Sequence, residues 1–314
     1  MAFDPDARNL IELVKASGRP PIDTMTPAEA REAYQRASQL FSPDRPEMAE
    51  LRDLAAEGPD GPIGLRLYRG KGAPVEAAAA LVYLHGGGWT IGDLDTHDYV
   101  CRKFANDARC VVISVDYRLA PEHKHPKPLE DCIAAARWIA ANAGALGIDA
   151  GKLAIGGDSA GGNLSAVLTL IAREGGAPKF VFQMLLYPAV DATMRHASYK
   201  TIPDDVPLTE KTTRYFLDHY INGEADKLDW RVSPLRAGSF ENLPPAFVLT
   251  ARHDPLCDEG RDYAQALEKA GVRVWSVDLN DQVHGFLTNG KMIRAADMAL
   301  DMASAALRYG FLIA

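Results

Sequence analysis

Ser159 lies in the run Gly157-Asp158-Ser159-Ala160-Gly161, with a glycine two positions to either side of the hydroxyl. That spacing lets a chain leave a strand, turn sharply with serine at the apex, and enter a helix. The hydroxyl is then exposed, and the small residues stand where strand and helix nearly touch. The chemistry open to such a hydroxyl is nucleophilic attack on a carbonyl carbon, with the helix N-terminus favouring the negative charge that develops. The pentapeptide alone is weak, because it recurs by chance in roughly one chain in ten of this length. A second run, His85-Gly86-Gly87-Gly88-Trp89, supplies what the attack needs next. Glycines after a buried strand let backbone amides approach a ligand closely enough to hold an oxyanion. The expected oxyanion hole is Gly86, Gly87 and Gly88 together with Ala160. His85 reads as a histidine that holds this loop rather than as a catalyst.

A serine hydroxyl is a weak nucleophile until a base takes its proton, and the base needs an acceptor to orient it. His284, in Val283-His284-Gly285-Phe286, is the candidate base. Asp254, in His253-Asp254-Pro255-Leu256-Cys257-Asp258-Glu259-Gly260, is the candidate acceptor, and Asp258 is its rival. Asp258 is nearer the next helix, where capping would account for it. Both His284 and Asp254 follow apolar runs of β type, at the ends of strands where open parallel sheets place their sites. Neither glycine cluster suits a nucleotide: Ile91 stands where GxGxxG needs its third glycine, Ser159 interrupts the other cluster, and a Walker lysine is missing. His123-Lys124-His125 reads as a loop brace rather than a metal site, and Arg118 and Glu122 beside it as an internal ion pair or capping partners. No metal or organic cofactor is expected.

These residues need a scaffold. From about residue 80 onward, buried strand-like runs (79–84, 110–115, 152–155, 180–186, 246–250, 272–279) alternate with helical patterns (128–142, 161–173, 260–270, 294–309). The runs are rich in Val, Ile, Leu and Phe without strict alternation, as strands covered on both faces should be. The alternation predicts a mostly parallel sheet with helices on both sides. Residues 52–57 and 64–68 are expected to pair antiparallel at one edge, and the strand before His284 to lie at an exposed edge. Two segments break the rhythm. Residues 1–45 read as two amphipathic helices, 5–17 and 26–39, the second opening on Thr26-Pro27-Ala28-Glu29. Residues 190–235 hold a proline-rich loop, 202–208, and a helix, 210–220. Neither segment has enough apolar mass for its own core. The expected organisation is a catalytic domain of residues 46–189 and 236–314, with 1–45 and 190–235 packed together as a helical cap. Trp89, Leu208 and Phe216, with Asp158, are the residues expected to meet a substrate.

Composition sets the outer bounds. The chain has 314 residues, 47% hydrophobic and 24% charged, with a formal charge of −8. A net anion without a basic stripe is a poor partner for nucleic acid or an anionic membrane. No apolar run approaches the length of a membrane span, and the N-terminus lacks the pattern of a secretory signal. Four cysteines without CxxC spacing read as reduced, mostly buried thiols of a cytoplasmic protein.

Taken in order, HGGGW (85–89), DYRLAPEH (116–123), GDSAGGN (157–163), Tyr187-Pro188, DPLCDEG (254–260) and HGF (284–286) resemble the bacterial hormone-sensitive-lipase family of esterases, in its GDSAG subgroup. The resemblance runs from about residue 50 to the end. It implies the α/β-hydrolase fold: a mostly parallel eight-stranded sheet flanked by helices, with a helical cap. It also implies a Ser159, Asp254, His284 triad, with oxyanion donors at Gly87, Gly88 and Ala160. The expected activity is hydrolysis of short- to medium-chain acyl esters through an acyl-enzyme, falling in acid as the base is protonated. Amides and acetyl groups are alternative substrates of the same machinery. A non-catalytic ligand-binding relative is the remaining alternative, against which His284 in its HGF context speaks. The resemblance also raises a homodimer as an expectation.

Overall fold

The computed structural model describes residues 3–313. The chain opens with helices α1 (Pro5–Ala16) and α2 (Pro27–Phe41), followed by strands β1 (Glu50–Gly58), β2 (Gly61–Arg69) and β3 (Ala78–Leu84). Strands and helices then alternate: α3 (Asp98–Ala108), β4 (Val111–Asp116), α4 (Lys127–Ala141), β5 (Ile148–Asp158), α5 (Ala160–Arg173) and β6 (Phe182–Leu186). An insertion carries α6 (Ser198–Thr201) and α7 (Glu210–Tyr220). The chain ends with β7 (Ala246–His253), α8 (Cys257–Lys269), β8 (Val274–Val283) and α9 (Ala295–Leu312).

One sheet holds all eight strands, in the order β1-β2-β4-β3-β5-β6-β7-β8. β2 runs antiparallel to both β1 and β4, and the remaining neighbours are parallel. The predicted antiparallel edge is therefore present, and β8 forms the opposite edge. β3 shows why these runs are strands and why they lack polar alternation. Its Ala80, Val82 and Leu84 pack with Leu129 and Ile139 of α4 and Leu164 of α5 on one face. Leu81 and Tyr83 pack with Phe104 of α3 and Leu300 of α9 on the other. Each large apolar side chain transferred from water to these layers contributes about 1.5–3 kcal/mol, which favours an apolar residue on either face. Register then positions the chemistry. Leu84 of β3 lies opposite Gly157 of β5, so the glycine loop and the serine turn leave the sheet side by side.

The two segments outside the rhythm share an apolar cluster: Ala30 of α2 packs with Tyr199, Leu208 and Phe216 of the insertion, over Ile91 and Leu256. α2 starts on a capping box between Thr26 and Glu29. Its Arg31 crosses to the body of the molecule, donating to the carbonyls of Thr90 and Ala120 and to Glu122. Lys124 does the same for the insertion, donating to the carbonyls of Asp218 and Ile221.

Some expectations need correction. Arg118 and Glu122 do not pair with each other. Arg118 binds Asp131 and Asp60, while Glu122 takes Arg31. β5 begins four residues before its expected start, as the chain passes Ile148, and β8 runs on to Val283, carrying His284 at its tip. α3 was absent from the expected elements. The four cysteines are free and buried. Among the described residues, no helix is long and apolar enough to cross a membrane, and no cluster of His, Cys, Asp and Glu is suited to a metal ion.

Candidate active site

Ser159 stands between β5 and α5 with φ 54° and ψ −119°, a conformation that L-residues avoid. Holding it there costs on the order of 1–3 kcal/mol, which the surroundings must offset. Its N–H donates to the Leu186 carbonyl at 2.8 Å, and its own carbonyl accepts from the amides of Asn163 and Ala189. The flanking glycines are required by close approach. A Cβ on either Gly157 or Gly161 would collide with the Leu84 carbonyl of β3. The turn therefore exists because β3, β5 and α5 come together with no side chain between them.

His284 and Asp254 arrive from the ends of β8 and β7. The imidazole Nε2 lies 2.9 Å from Ser159 Oγ and Nδ1 lies 2.6 Å from Asp254 Oδ2. A carboxylate accepts only, so Nδ1 carries the hydrogen, and in the neutral ring Nε2 is the nitrogen left to accept from the serine hydroxyl. Asp254 is wholly buried, and its other oxygen accepts the Leu256 N–H at 2.8 Å. Asp258 is engaged elsewhere: it accepts the Ser198 N–H and interacts with Arg261. The three residues singled out in the sequence are thus brought into one hydrogen-bonded row, and the rival carboxylate is excluded by its contacts.

The glycine loop faces this row. Among the described residues, the amides of Gly87, Gly88 and Ala160 donate to no protein acceptor. All three residues line a cavity of about 460 Å³ that also reaches Ser159 and His284. Gly88 has φ 57°, and a Cβ there would enter the ring of Phe216 from α7. Gly86 departs from expectation: its N–H is already given to Asp158 Oδ1 at 3.0 Å, so it is not free for an oxyanion.

Asp158 is among the residues that line the cavity, but it is only 4% exposed. Its carboxylate accepts from the Tyr83 hydroxyl at 2.8 Å and the Gly86 N–H, with His97 Nε2 at 3.3–3.4 Å. Burial works against the anion, but the contacts from His97 and Tyr83 outweigh it and hold the acid below its usual range. Those contacts leave it little to offer a substrate. His85 holds the loop as expected. Its Nδ1 donates to the Gly86 carbonyl at 2.8 Å, and Tyr117 donates to its own carbonyl. Burial, with His97 nearby, pushes its imidazole down to about 4, so it is neutral.

Trp89, Leu208 and Phe216 all line the cavity. Trp89 is also a packing residue, stacked on Tyr220 of α7 with centroids 4.3 Å apart. Sequence reasoning missed the other wall: Leu10 and Val14 of α1 and Tyr34 of α2 reach the same cavity. The amphipathic period of α1 marks an apolar face, and the expected cap places it over the sheet, but the period does not say which of its residues reach the cavity.

A mostly parallel eight-stranded sheet with this serine turn and row of side chains at its strand ends defines an α/β-hydrolase. Residues 81–288 match a family model described as alpha/beta hydrolase fold. Esterase LipI of Mycobacterium tuberculosis is 42% identical over 274 residues, 85% of this chain and 84% of that protein. Ethyl acetate hydrolase of Pseudomonas putida is 39% identical over 318 residues, 98% of this chain and 99% of that protein. An ester hydrolase from the metagenome of Lake Arreo, solved with a bipyridine phosphonate derivative, superposes with a TM-score of 0.95 at 42% identity, covering 98% of this chain and 99% of that one. The chain belongs to the α/β-hydrolase fold family and, within it, to the hormone-sensitive-lipase-like bacterial esterases, which are carboxylic ester hydrolases.

Proposed function

We propose that this protein is a serine carboxylesterase in which Ser159 is the nucleophile, His284 the general base and acid, and Asp254 the group that orients the imidazole. The observation that carries the assignment is the Ser159–His284–Asp254 row beside three amides that no acceptor takes among the described residues. His284 Nε2 takes the hydroxyl proton as Ser159 Oγ bonds to the ester carbonyl carbon. Asp254 stabilises the imidazolium without taking its proton. The carbonyl oxygen, now an anion, is held by the N–H groups of Gly87, Gly88 and Ala160 at the mouth of α5. As the tetrahedral species collapses, His284 returns the proton to the departing alcohol and an acyl-Ser159 remains. Water then repeats the cycle and releases the acid.

Substrate size follows from the cavity. Ligand pockets commonly span about 300–1,000 Å³, and this one, at about 460 Å³, is at the smaller end and is covered by α1, α2 and the insertion. Short- to medium-chain monoesters suit it, with Trp89, Leu208 and Phe216 forming one apolar wall. A p-nitrophenyl acetate, butyrate and palmitate series on wild type and Ser159→Ala tests the proposal. The expected result is kcat/KM highest for acetate or butyrate, with turnover abolished in the variant. Preference for palmitate overturns the size assignment, and residual wild-type-like turnover in Ser159→Ala overturns the nucleophile.

A further inference from the structure

Asp158 is next to the nucleophile in sequence and is among the residues that line the cavity. Its carboxylate is nevertheless taken up by partners at the root of the glycine loop. Oδ1 accepts both the Gly86 N–H at 3.0 Å and the Tyr83 hydroxyl at 2.8 Å, and His97 Nε2 is 3.3 Å from the same oxygen. The approach is close enough that a Cβ on Gly86 would collide with the carboxylate. On the far side of the same residue, the Gly86 carbonyl accepts from His85 Nδ1. The residue that precedes both free amides, Gly87 and Gly88, is therefore held at both its N–H and its carbonyl, and the anion holding the N–H is bonded through the chain to Ser159.

The donors around this anion are themselves fixed. Tyr83 is the penultimate residue of β3 and is fully buried. His97 is fully buried at the start of α3, and its Nδ1 lies 3.0 Å from Thr96 Oγ1. The Thr96 hydroxyl gives its hydrogen to the Asp93 carbonyl, so it can only accept from the ring. The cluster spans β3, the glycine loop, α3 and the serine turn. It is too well satisfied to be waiting for a ligand.

We infer that Asp158 is the positioning residue of the oxyanion hole: by clamping Gly86 N–H to the serine turn, it sets the Gly87 and Gly88 amides at the place where the ester oxygen becomes an anion. This rests on the oxyanion assignment above and adds the element that fixes its geometry. Such an anchor acts on the transition state and not on ground-state binding, because the free amides gain most when charge has developed on the oxygen. Loss of one oxyanion donor commonly costs about 100- to 1,000-fold in kcat, so slackening two of them should cost about 100-fold.

The test compares wild type with Asp158→Ala, Asp158→Asn and Tyr83→Phe. Each is scaled by active-site titration with a fluorophosphonate and assayed on p-nitrophenyl butyrate. Affinity for a 1,1,1-trifluoro-2-alkanone, whose adduct on serine bears an oxyanion, is measured in parallel. The expected result for Asp158→Ala is a loss of about 100-fold in kcat per titrated site with KM within about threefold. Asp158→Asn keeps one acceptor oxygen for Gly86 but presents an amide N–H to the His97 ring, and should lose about 10-fold. Tyr83→Phe should stay within about threefold. Affinity for the ketone should fall in the same order and by similar factors. If Asp158→Ala does not fold, the Asn variant and the ketone carry the test. A kcat per titrated site within threefold of wild type for Asp158→Asn, with unchanged ketone affinity, overturns the inference. A kcat loss without a matching loss of ketone affinity also overturns it, because the oxyanion of the serine adduct would then be held as well as in wild type. Wild type insensitive to the ketone would instead indict the oxyanion assignment itself.

Discussion

Asp254 shows how much a single carboxylate decides here. It is wholly buried, and one oxygen is spent on the Leu256 amide and the other on His284. Asp254→Asn keeps the shape but can turn an N–H toward the ring, favouring the wrong tautomer. A drop of about ten-thousand-fold in kcat is expected, with fluorophosphonate labelling slowed in proportion. His85 makes the complementary prediction about stability. Its folded pKa is pushed down to about 4, against 6.5 for an ordinary imidazole. As pH falls, the unfolded chain takes the proton first. Stability is therefore full above about pH 6.5 and is lost between there and about pH 4, by about 3 kcal/mol in all. Asn at position 85 can still donate to the Gly86 carbonyl and has nothing to titrate. Urea unfolding of His85→Asn between pH 7.5 and 4.5 should show a shallower acid slope than wild type; equal slopes would remove His85 from the account. At this scale the sequence was informative where order and motif agreed, at Ser159, Asp254 and His284. At Gly86 it named an amide that Asp158 already takes, and at Asp158 a lining residue whose carboxylate is already engaged. Side-chain identity told which residues stand near the site, but whether an N–H or a carboxylate faces inward or outward depends on partners, here Tyr83 and His97, that lie elsewhere in the chain.

Among the elements, the tightest constraint is the meeting of β3, β5 and α5. Gly161→Ala would drive a methyl into the Leu84 carbonyl, and backbone cannot step aside as a flexible side chain can. The expected outcome is destabilisation of about 2–4 kcal/mol or failure to accumulate as folded protein, read by thermal unfolding. A Gly161→Ala variant with an unchanged melting temperature would contradict the packing described. Strands were legible because β3 and its neighbours are apolar on both faces. Helix α3 was equally legible in principle, since Tyr99, Val100, Phe104, Ala105 and Ala108 recur at helical spacing and are buried. It begins, however, without a side-chain cap, directly after a loop rich in Asp, Thr and Gly, and that punctuation masks its start. The N-terminal helices were read from their period and from the Thr26 capping box. Their role as a cap was expected, but which of their residues reach the cavity was not legible, because that depends on contacts between residues nearly 200 positions apart, as with Asp23 and Thr212.

For the molecule as a whole, burial of every cysteine gives a simple readout. Cys101, Cys110, Cys132 and Cys257 are free and buried, and burial pushes the thiols of Cys110 and Cys257 up to about 12. Thiolate is the reactive form, so native protein should resist Ellman's reagent and retain full activity in its presence, with four thiols titrating once urea unfolds the chain. A thiol that reacts quickly in the native state would mean that one of the core layers opens far more readily than its packing implies. The placement of Phe216 has a broader consequence. Its ring rests on Gly88, so the roof of the cavity and one of the amides that would catch the negative charge are a single mechanical unit. A guest too stout for the chamber lifts the roof and slackens that amide in the same movement. Bulky esters should then be admitted but turned over slowly, a discrimination exerted on reaction rate rather than on entry.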